Sequence, residues 1–299
     1  MLQDAWRRHR RVVILALALG LPASAQDSNS TPGPTSTTQE QGTGTTPVNS
    51  DFGSNKPSYL HRFLHDEYRM WTSPFRPSNY DSHTAKKYAL PFALISGALI
   101  ATDTHTASIL SNSDQQTKWS GRVSQLGSVY SLAGISGGSY LLGRIGGNDH
   151  LKETGLLGLE ALVHTQIIIQ GLKLATQRER PLDHDGDGSF WEGGNSFPSG
   201  HAAGSFALAA VFAYEYRDHI AVPITAYSLA SLVSLSRLSA QRHWASDVFV
   251  GGSVGFLIGR FVYKHHHDPN LPGSPVSRTA RLMPDIVYAN RSFGLFWAF

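Results

Sequence analysis

The stretch that decides the fold is Ser199-Gly-His-Ala-Ala-Gly-Ser-Phe-Ala-Leu-Ala-Ala-Val-Phe-Ala-Tyr-Glu-Tyr216. Its apolar residues do not alternate. They follow a Pro198-Ser199-Gly200 opening that reads as a helix N-terminus. Mostly apolar helical runs recur at about 88–110, 121–144, 154–178, 219–237 and 243–263. Upstream, Tyr59 to Trp71 spaces Leu60, Phe63 and Leu64 helically, and Pro74 and Pro77 end that run. Period-two alternation is largely absent until Pro284–Phe299. There, Ile286-Val287-Tyr288 and Phe293-Gly294-Leu295-Phe296 flank Asn290-Arg291. The expected class is all-α, a helical bundle with a short C-terminal β-hairpin.

Composition narrows the function classes. Of 299 residues, 41% are hydrophobic and only 16% charged, too few charges for a disordered or nucleic-acid-coating chain. The net charge of +3 is supplied entirely by Arg7, Arg8, Arg10 and Arg11 against Asp4, so the rest is neutral and no nucleic-acid partner is implied. The absence of cysteine excludes disulfides, thiolate nucleophiles and cysteine-ligated metals, and leaves 14 histidines to carry unusual chemistry.

The arginines precede a short apolar run, Val12 to Leu21, and Ala23-Ser24-Ala25, the layout of an export signal cleaved after Ala25. Residues 26–57 are rich in Ser, Thr, Gly and Pro and read as a disordered linker. A helical domain is expected over 58–268 and a tail with the hairpin over 269–299. The body then lies outside the cytoplasm, in the cell envelope. Val123–Gly143 lacks charge but is full of Gly and Ser, and Ile220–Ser236 falls short of the ~20 residues of a span. Other runs carry Asp103, His105, Glu160 or His164. Such helices suit a soluble bundle or one seated in a bilayer around a polar site, and membrane association is favoured.

Three blocks bear chemistry. In Lys173-Leu-Ala-Thr-Gln-Arg-Glu-Arg180-Pro181 the two outer cations are seven residues apart, two helical turns, and continue a polar stripe through Gln166, Gln170 and Gln177. A buried polar stripe needs partners, and two cations suit an anion. In Phe197-Pro198-Ser199-Gly200-His201, a helix N-terminus offers backbone N–H groups to an oxyanion, with His201 placed to donate a proton. In Ser236-Arg237-Leu-Ser-Ala-Gln-Arg-His243-Trp-Ala-Ser-Asp247, the carboxylate four residues on can take one ring proton of His243 and leave the other nitrogen nucleophilic. Taken singly, each block also fits an ordinary helix end.

Together, K-x6-R-P, P-S-G-H and S-R-x5-H-x3-D occur complete and in order. The chain at this point closely resembles the type 2 phosphatidic acid phosphatase and vanadium haloperoxidase superfamily, over roughly Tyr88 to Tyr263. The resemblance implies that superfamily's helical bundle and a phosphatase. Lys173, Arg180 and Arg237 would hold phosphate oxygens, and Ser199 and the amide of Gly200 would add hydrogen bonds. His243 would attack phosphorus to form a phosphohistidine, Asp247 would orient it, and His201 would protonate the leaving alcohol. No metal or other cofactor is implied. The substrate is a lipid phosphate, a polyprenyl diphosphate or a soluble phosphomonoester. The alternatives are a vanadate-dependent haloperoxidase and a non-catalytic envelope binding protein.

Two further motifs have plainer readings. Asp183-His184-Asp185-Gly186-Asp187-Gly188 resembles half a calcium loop, but the position that would need Glu is Gly194, so a connecting loop is expected. The adjacent Phe190-Trp191 could meet a substrate's organic part. His265-His266-His267-Asp268 is expected to be a solvated helix end, since adjacent histidines converge poorly.

Overall fold

The computed structural model describes residues 59–79, 85–110, 113–182 and 186–272, together with the backbone of 285–289 and 292–296. The expected signal at 1–25 and linker at 26–57 lie outside the described residues, as do Asp183, His184 and Asp185 of the calcium-like motif.

Eight α-helices form the described body: α1 (Tyr59–Thr72), α2 (Leu90–Ile109), α3 (Asp114–Gln125), α4 (Val129–Gly146), α5 (Asp149–Thr176), α6 (Gly200–Glu215), α7 (Ala221–Ser239) and α8 (Ala245–His266). Two short strands, β1 (Asp285–Ala289) and β2 (Ser292–Phe296), pair antiparallel with Ile286 opposite Leu295. The run at 121–144, expected as one helix, is two. Ser128 has extended backbone and its hydroxyl accepts the Ser131 N–H at 3.2 Å, so a new helix starts there.

The bundle is organised by α6, which packs on α5, α7 and α8. Its core comprises Leu157, Ala161 and Ile168 of α5, Ala207 and Val211 of α6, and Ile258, Val262 and Tyr263 of α8, all buried. The α6–α8 crossing is exceptionally close. A Cβ on Gly255 would lie 1.9 Å from the Ala203 carbonyl oxygen, and one on Gly259 would lie 2.2 Å from that of Ala207. At Gly251 the same atom would meet the Ser199 carbonyl at 2.5 Å. Glycine at every fourth residue thus lets α8 lie against the backbone of α6. That contact brings the second and third sequence blocks together: the Ser199 N–H donates to the Asp247 carbonyl at 2.9 Å.

The outer faces stay apolar. Leu94 and Ile95 on α2, Leu141, Leu142 and Ile145 on α4, Leu174 on α5 and Leu235 on α7 are all exposed. α5, α7 and α8 are long and apolar enough to cross a membrane.

The histidine run at the end of α8 differs from expectation. His265 is exposed, but the side chains of His266 and His267 are only 4% and 10% exposed. His266 lies 2.9 Å from both Asp66 and Glu160, and His267 3.2 Å from Glu215. The helix end is not frayed into solvent because α1, α5 and α6 carry carboxylates that meet these rings, and each adjacent ring turns to its own partner.

Candidate active site

α5 delivers Gln166, Gln170 and Lys173 to a cavity of about 250 Å³. The helix ends at Thr176, where Gln177 takes left-handed backbone (φ 45°) and caps it, so Arg180 lies beyond it. Lys173 and Arg180 therefore do not share a helix face as the seven-residue spacing suggested, because the chain leaves the helix at Gln177, three residues before Arg180. Both nonetheless line the same cavity. Asn195 ties them: its backbone carbonyl accepts from Lys173 Nζ, and its side-chain Oδ1 accepts from Arg180 Nε at 3.0 Å. Gln177 turns away and donates to the Leu174 carbonyl.

α6 starts at Gly200, with Ser199 as its N-cap residue. Ser199 makes no side-chain cap bond, and its buried hydroxyl has no hydrogen-bond partner. Gly200 and His201 line the cavity from this end. Arg237, in the last turn of α7, enters from the third side, braced by a 2.9 Å bond from its Nη1 to Ser124 Oγ. His243 closes the ring and is 3% exposed. Three cations and two imidazoles thus border the cavity, and among the described residues no carboxylate lines it. Such a site favours an anion.

His243 precedes α8 instead of lying in it, and Asp247 is the third residue of that helix. The pair is made across a helix start, with His243 Nδ1 at 3.4 Å from Asp247 Oδ2. The same carboxylate accepts the Trp244 N–H at 3.0 Å. Burial holds the His243 imidazole down to about 4, against the opposing pull of Asp247. His201 is likewise lowered to about 4, first by burial and then by the charges of Arg237, His243, Lys173 and Arg180.

The sequence reading missed what holds Asp247. Its Oδ2 accepts from Ser196 Oγ, and its Oδ1 accepts from Arg178 Nη1 at 2.9 Å. Arg178 is 2% exposed and also donates from Nη2 to Asp103 Oδ2 at 2.8 Å and from Nε to the Gly188 carbonyl at 2.9 Å. Its guanidinium lies 4.8 Å from the Phe190 ring centre and 5.2 Å from that of Trp244. Phe190 therefore packs on this arginine, while Trp191 is 74% exposed. Asp103 ties α2 to the same point by accepting from the Ser246 amide and hydroxyl. A lone Asp in the apolar α2 run was the available signal, since a buried charge needs a partner.

Residues 155–270 match the family model of the PAP2 superfamily. The lipid A 1-phosphatase of Porphyromonas gingivalis is 44% identical over 70 residues, which cover 23% of this chain and 16% of that protein. Lipid phosphate phosphatase 1 of Arabidopsis thaliana is 30% identical over 148 residues, 38% of this chain and 45% of the relative. The chain spans less than half the length of these curated relatives. The crystal structure of the first transmembrane PAP2 type phosphatidylglycerolphosphate phosphatase from Bacillus subtilis matches at 20% identity and a TM-score of 0.42, over 68% of this chain and 94% of that one. The family match over residues 155–270 agrees with the resemblance read from the three blocks.

Proposed function

We propose that this chain, whose residues 155–270 match the PAP2 superfamily, is a phosphoric ester hydrolase that acts on a lipid phosphate. The observation that carries the reading is a cavity bordered together by Lys173, Arg180, Arg237, His201 and His243. Three fixed cations suit the equatorial oxygens of a transferring phosphoryl group, where catalysis is mostly positioning and charge stabilisation. The Gly200 amide and the Ser199 hydroxyl add donors at a helix N-terminus.

His243 is neutral at pH 7 because burial disfavours its charged form, so one ring nitrogen carries a lone pair. Nδ1 faces Asp247, which leaves Nε2 as the nucleophile. Nε2 attacks phosphorus, the P–O bond to the leaving alcohol breaks, and a phosphohistidine forms. Asp247 stabilises the positive ring that results. His201 gives its proton to the leaving oxygen, then takes one from the water that cleaves the P–N bond and releases phosphate. In the free site His201 is held neutral by burial and the surrounding cations. A bound phosphate dianion offsets those cations and restores the proton the step needs. No step calls on a metal ion.

The lipid substrate is supported by the relatives' names and by the apolar outer faces of α5, α7 and α8, which suit a bilayer. Export and an envelope location with the site on the periplasmic side complete the reading. The full chain in detergent should release phosphate from a phosphatidate in excess EDTA and lose that activity with vanadate. Carbonate washing should leave the chain in the membrane pellet. Turnover that requires a divalent ion would overturn the mechanism. A chain active only on soluble esters, and released by carbonate, would overturn the substrate.

A further inference from the structure

α1 has a peculiar docking face. Among the described residues of this 14-residue helix, the buried ones are two acids, Asp66 and Glu67. They meet Glu160 and His164 on α5, one helical turn apart, and His266 at the end of α8. Burying several carboxylates against an apolar helix is costly unless cations answer them. The Arg62 guanidinium stays 3.8 Å from Glu160, and its side chain is 44% exposed.

His164 is the decisive residue. It is fully buried, with its ring stacked on Phe63 at 4.5 Å. Its Nδ1 lies 2.6 Å from Glu67 Oε1, and Glu67 is itself fixed by the Trp71 indole N–H at 3.1 Å. A carboxylate at Nδ1 sets the tautomer that bares a lone pair at Nε2, the arrangement usual behind a metal-ligating histidine. His164 Nε2 makes no hydrogen bond although it is buried. One ring nitrogen of His164 and a carboxylate oxygen each of Asp66 and Glu160 all lie within 4.8 Å of one another. With Nδ1 engaged by Glu67, the nitrogen left for that group is Nε2. Asp66 Oδ2 and His266 Nδ1 are likewise buried without a hydrogen bond, despite sitting in 2.9 Å ion-pair contacts.

We propose that Asp66, Glu160 and His164 form a site for a divalent transition metal of the zinc class, with His266 bracing the two carboxylates, and that the ion fastens α1 to the bundle. Imidazole plus carboxylate is a donor set that zinc accepts, and two carboxylates neutralise a dication. The site is structural and separate from the phosphate cavity: Glu160 precedes Lys173 by thirteen residues, about 20 Å along α5. Its existence does not depend on the phosphatase reading.

The test is metal binding by the full chain in detergent, purified without chelator and dialysed. About one zinc per chain should remain by elemental analysis. Stripping should lower the melting temperature and added zinc should restore it. Cobalt in place of zinc should give the visible absorption of a tetrahedral ion. Asp66→Asn and His164→Gln should each lose the retained metal, whereas Glu215→Gln, in the neighbouring Glu153–Glu215–His267 cluster, should keep it. The cobalt spectrum and the zinc-dependent melting of the unaltered chain decide the matter even if a variant fails to fold. No retained metal and no stabilisation by zinc would overturn the proposal. Binding untouched by Asp66→Asn and His164→Gln, or abolished by Glu215→Gln, would overturn it equally.

Discussion

At one end of α5, Lys173 joins Arg180, Arg237, His201 and His243 around an open cavity; farther back on the same helix, Glu160 and His164 face Asp66, Glu67 and His266 at ion-pair distances. Both regions are built from imidazoles and charges. They differ in which sign predominates and in what is left over. At the cavity, among the described residues, the cations outnumber the acids, and the acid that touches His243, Asp247, is itself held by Arg178 and Ser196. The surplus is positive and faces space. At the far cluster the acids outnumber the fixed cations, and the surplus is a buried ring nitrogen with no hydrogen bond. A histidine beside a carboxylate therefore says little by itself. The balance of charge around the pair, and whether a cavity opens on the second nitrogen, separate a reactive imidazole from a fastening one.

The sharpest way to break this comparison is to exchange the losses. His243→Ala should cost at least about 10⁴-fold in phosphate release, because removing a nucleophile leaves only binding and charge stabilisation. No phosphoenzyme should be trapped on acid quench. Asp66→Asn, at the far cluster, should leave kcat within about twofold while it removes the bound metal. A large loss of turnover in Asp66→Asn, or turnover retained in His243→Ala, would reverse the assignment of the two regions.

Arg178→Met probes what supports the cavity from behind. The change strands Asp103 and Asp247 as buried carboxylates, each 1% exposed or less. Breaking a buried pair by removing one partner costs about 3–5 kcal/mol, and here two acids lose the same partner. Chemical denaturation should register that loss. The double variant Arg178→Met with Asp103→Asn should recover part of it, since one uncompensated charge is then removed. An unchanged midpoint would mean that the network contributes nothing.

These two regions were unequally legible in the sequence. The blocks around Lys173, His201 and His243 stand out because they combine helix punctuation with charges at fixed spacing, and those signals are local. Proline and the Ser-Gly opening marked the start of α6 within a residue. The left-handed Gln177 was not legible, because a non-glycine residue in that conformation is set by the segment it leads into. Arg178 sits inside the first block, yet nothing in the block's spacing sets it apart. Its partners Asp103 and Asp247 lie 75 and 69 residues away, and only tertiary packing unites them. The same holds for Glu67 and His164, 97 residues apart. His265-His266-His267 failed as a prediction for a related reason: the partners that bury two of the three come from α1, α5 and α6, and nothing in the motif itself points to them.

His201→Ala divides substrates within the cavity. If His201 protonates the leaving oxygen, alkyl phosphates should slow by about 10²-fold, in the range usual for a general acid. Activated aryl phosphates, whose leaving group needs no proton, should slow much less. The ratio of the two rates should also become independent of pH in the variant. Equal losses on both substrates would remove His201 from the acid role and leave it as a phosphate-binding group.

The smallest effect separates the two regions by pH. His243 and His201 are both depressed to about 4 in the folded chain, against about 6.5 unfolded. Below about 6.5 the unfolded chain binds protons that the folded chain refuses, so stability falls as pH drops and the loss is complete near 4. Above that window their contribution is fully present. For a buried ring such as His243 the loss is on the order of 2 kcal/mol. Thermal melts from pH 7 to pH 4 should show this slope, and His243→Gln should flatten part of it. Inorganic phosphate or vanadate should flatten it in part, because a bound dianion offsets Arg237, Lys173 and Arg180 and lessens the penalty for charging the cavity histidines, while the part due to burial remains. Zinc added to the stripped chain should instead raise the whole curve near neutrality and lose its effect in acid, because metal binding releases protons from its ligands. One set of melts with the two ligands therefore reads both regions: an anion that alters the slope reports the cavity, and a cation that alters the height reports the cluster. If zinc flattened the acid slope and phosphate merely raised the curve, the proposed roles of the two regions would be exchanged.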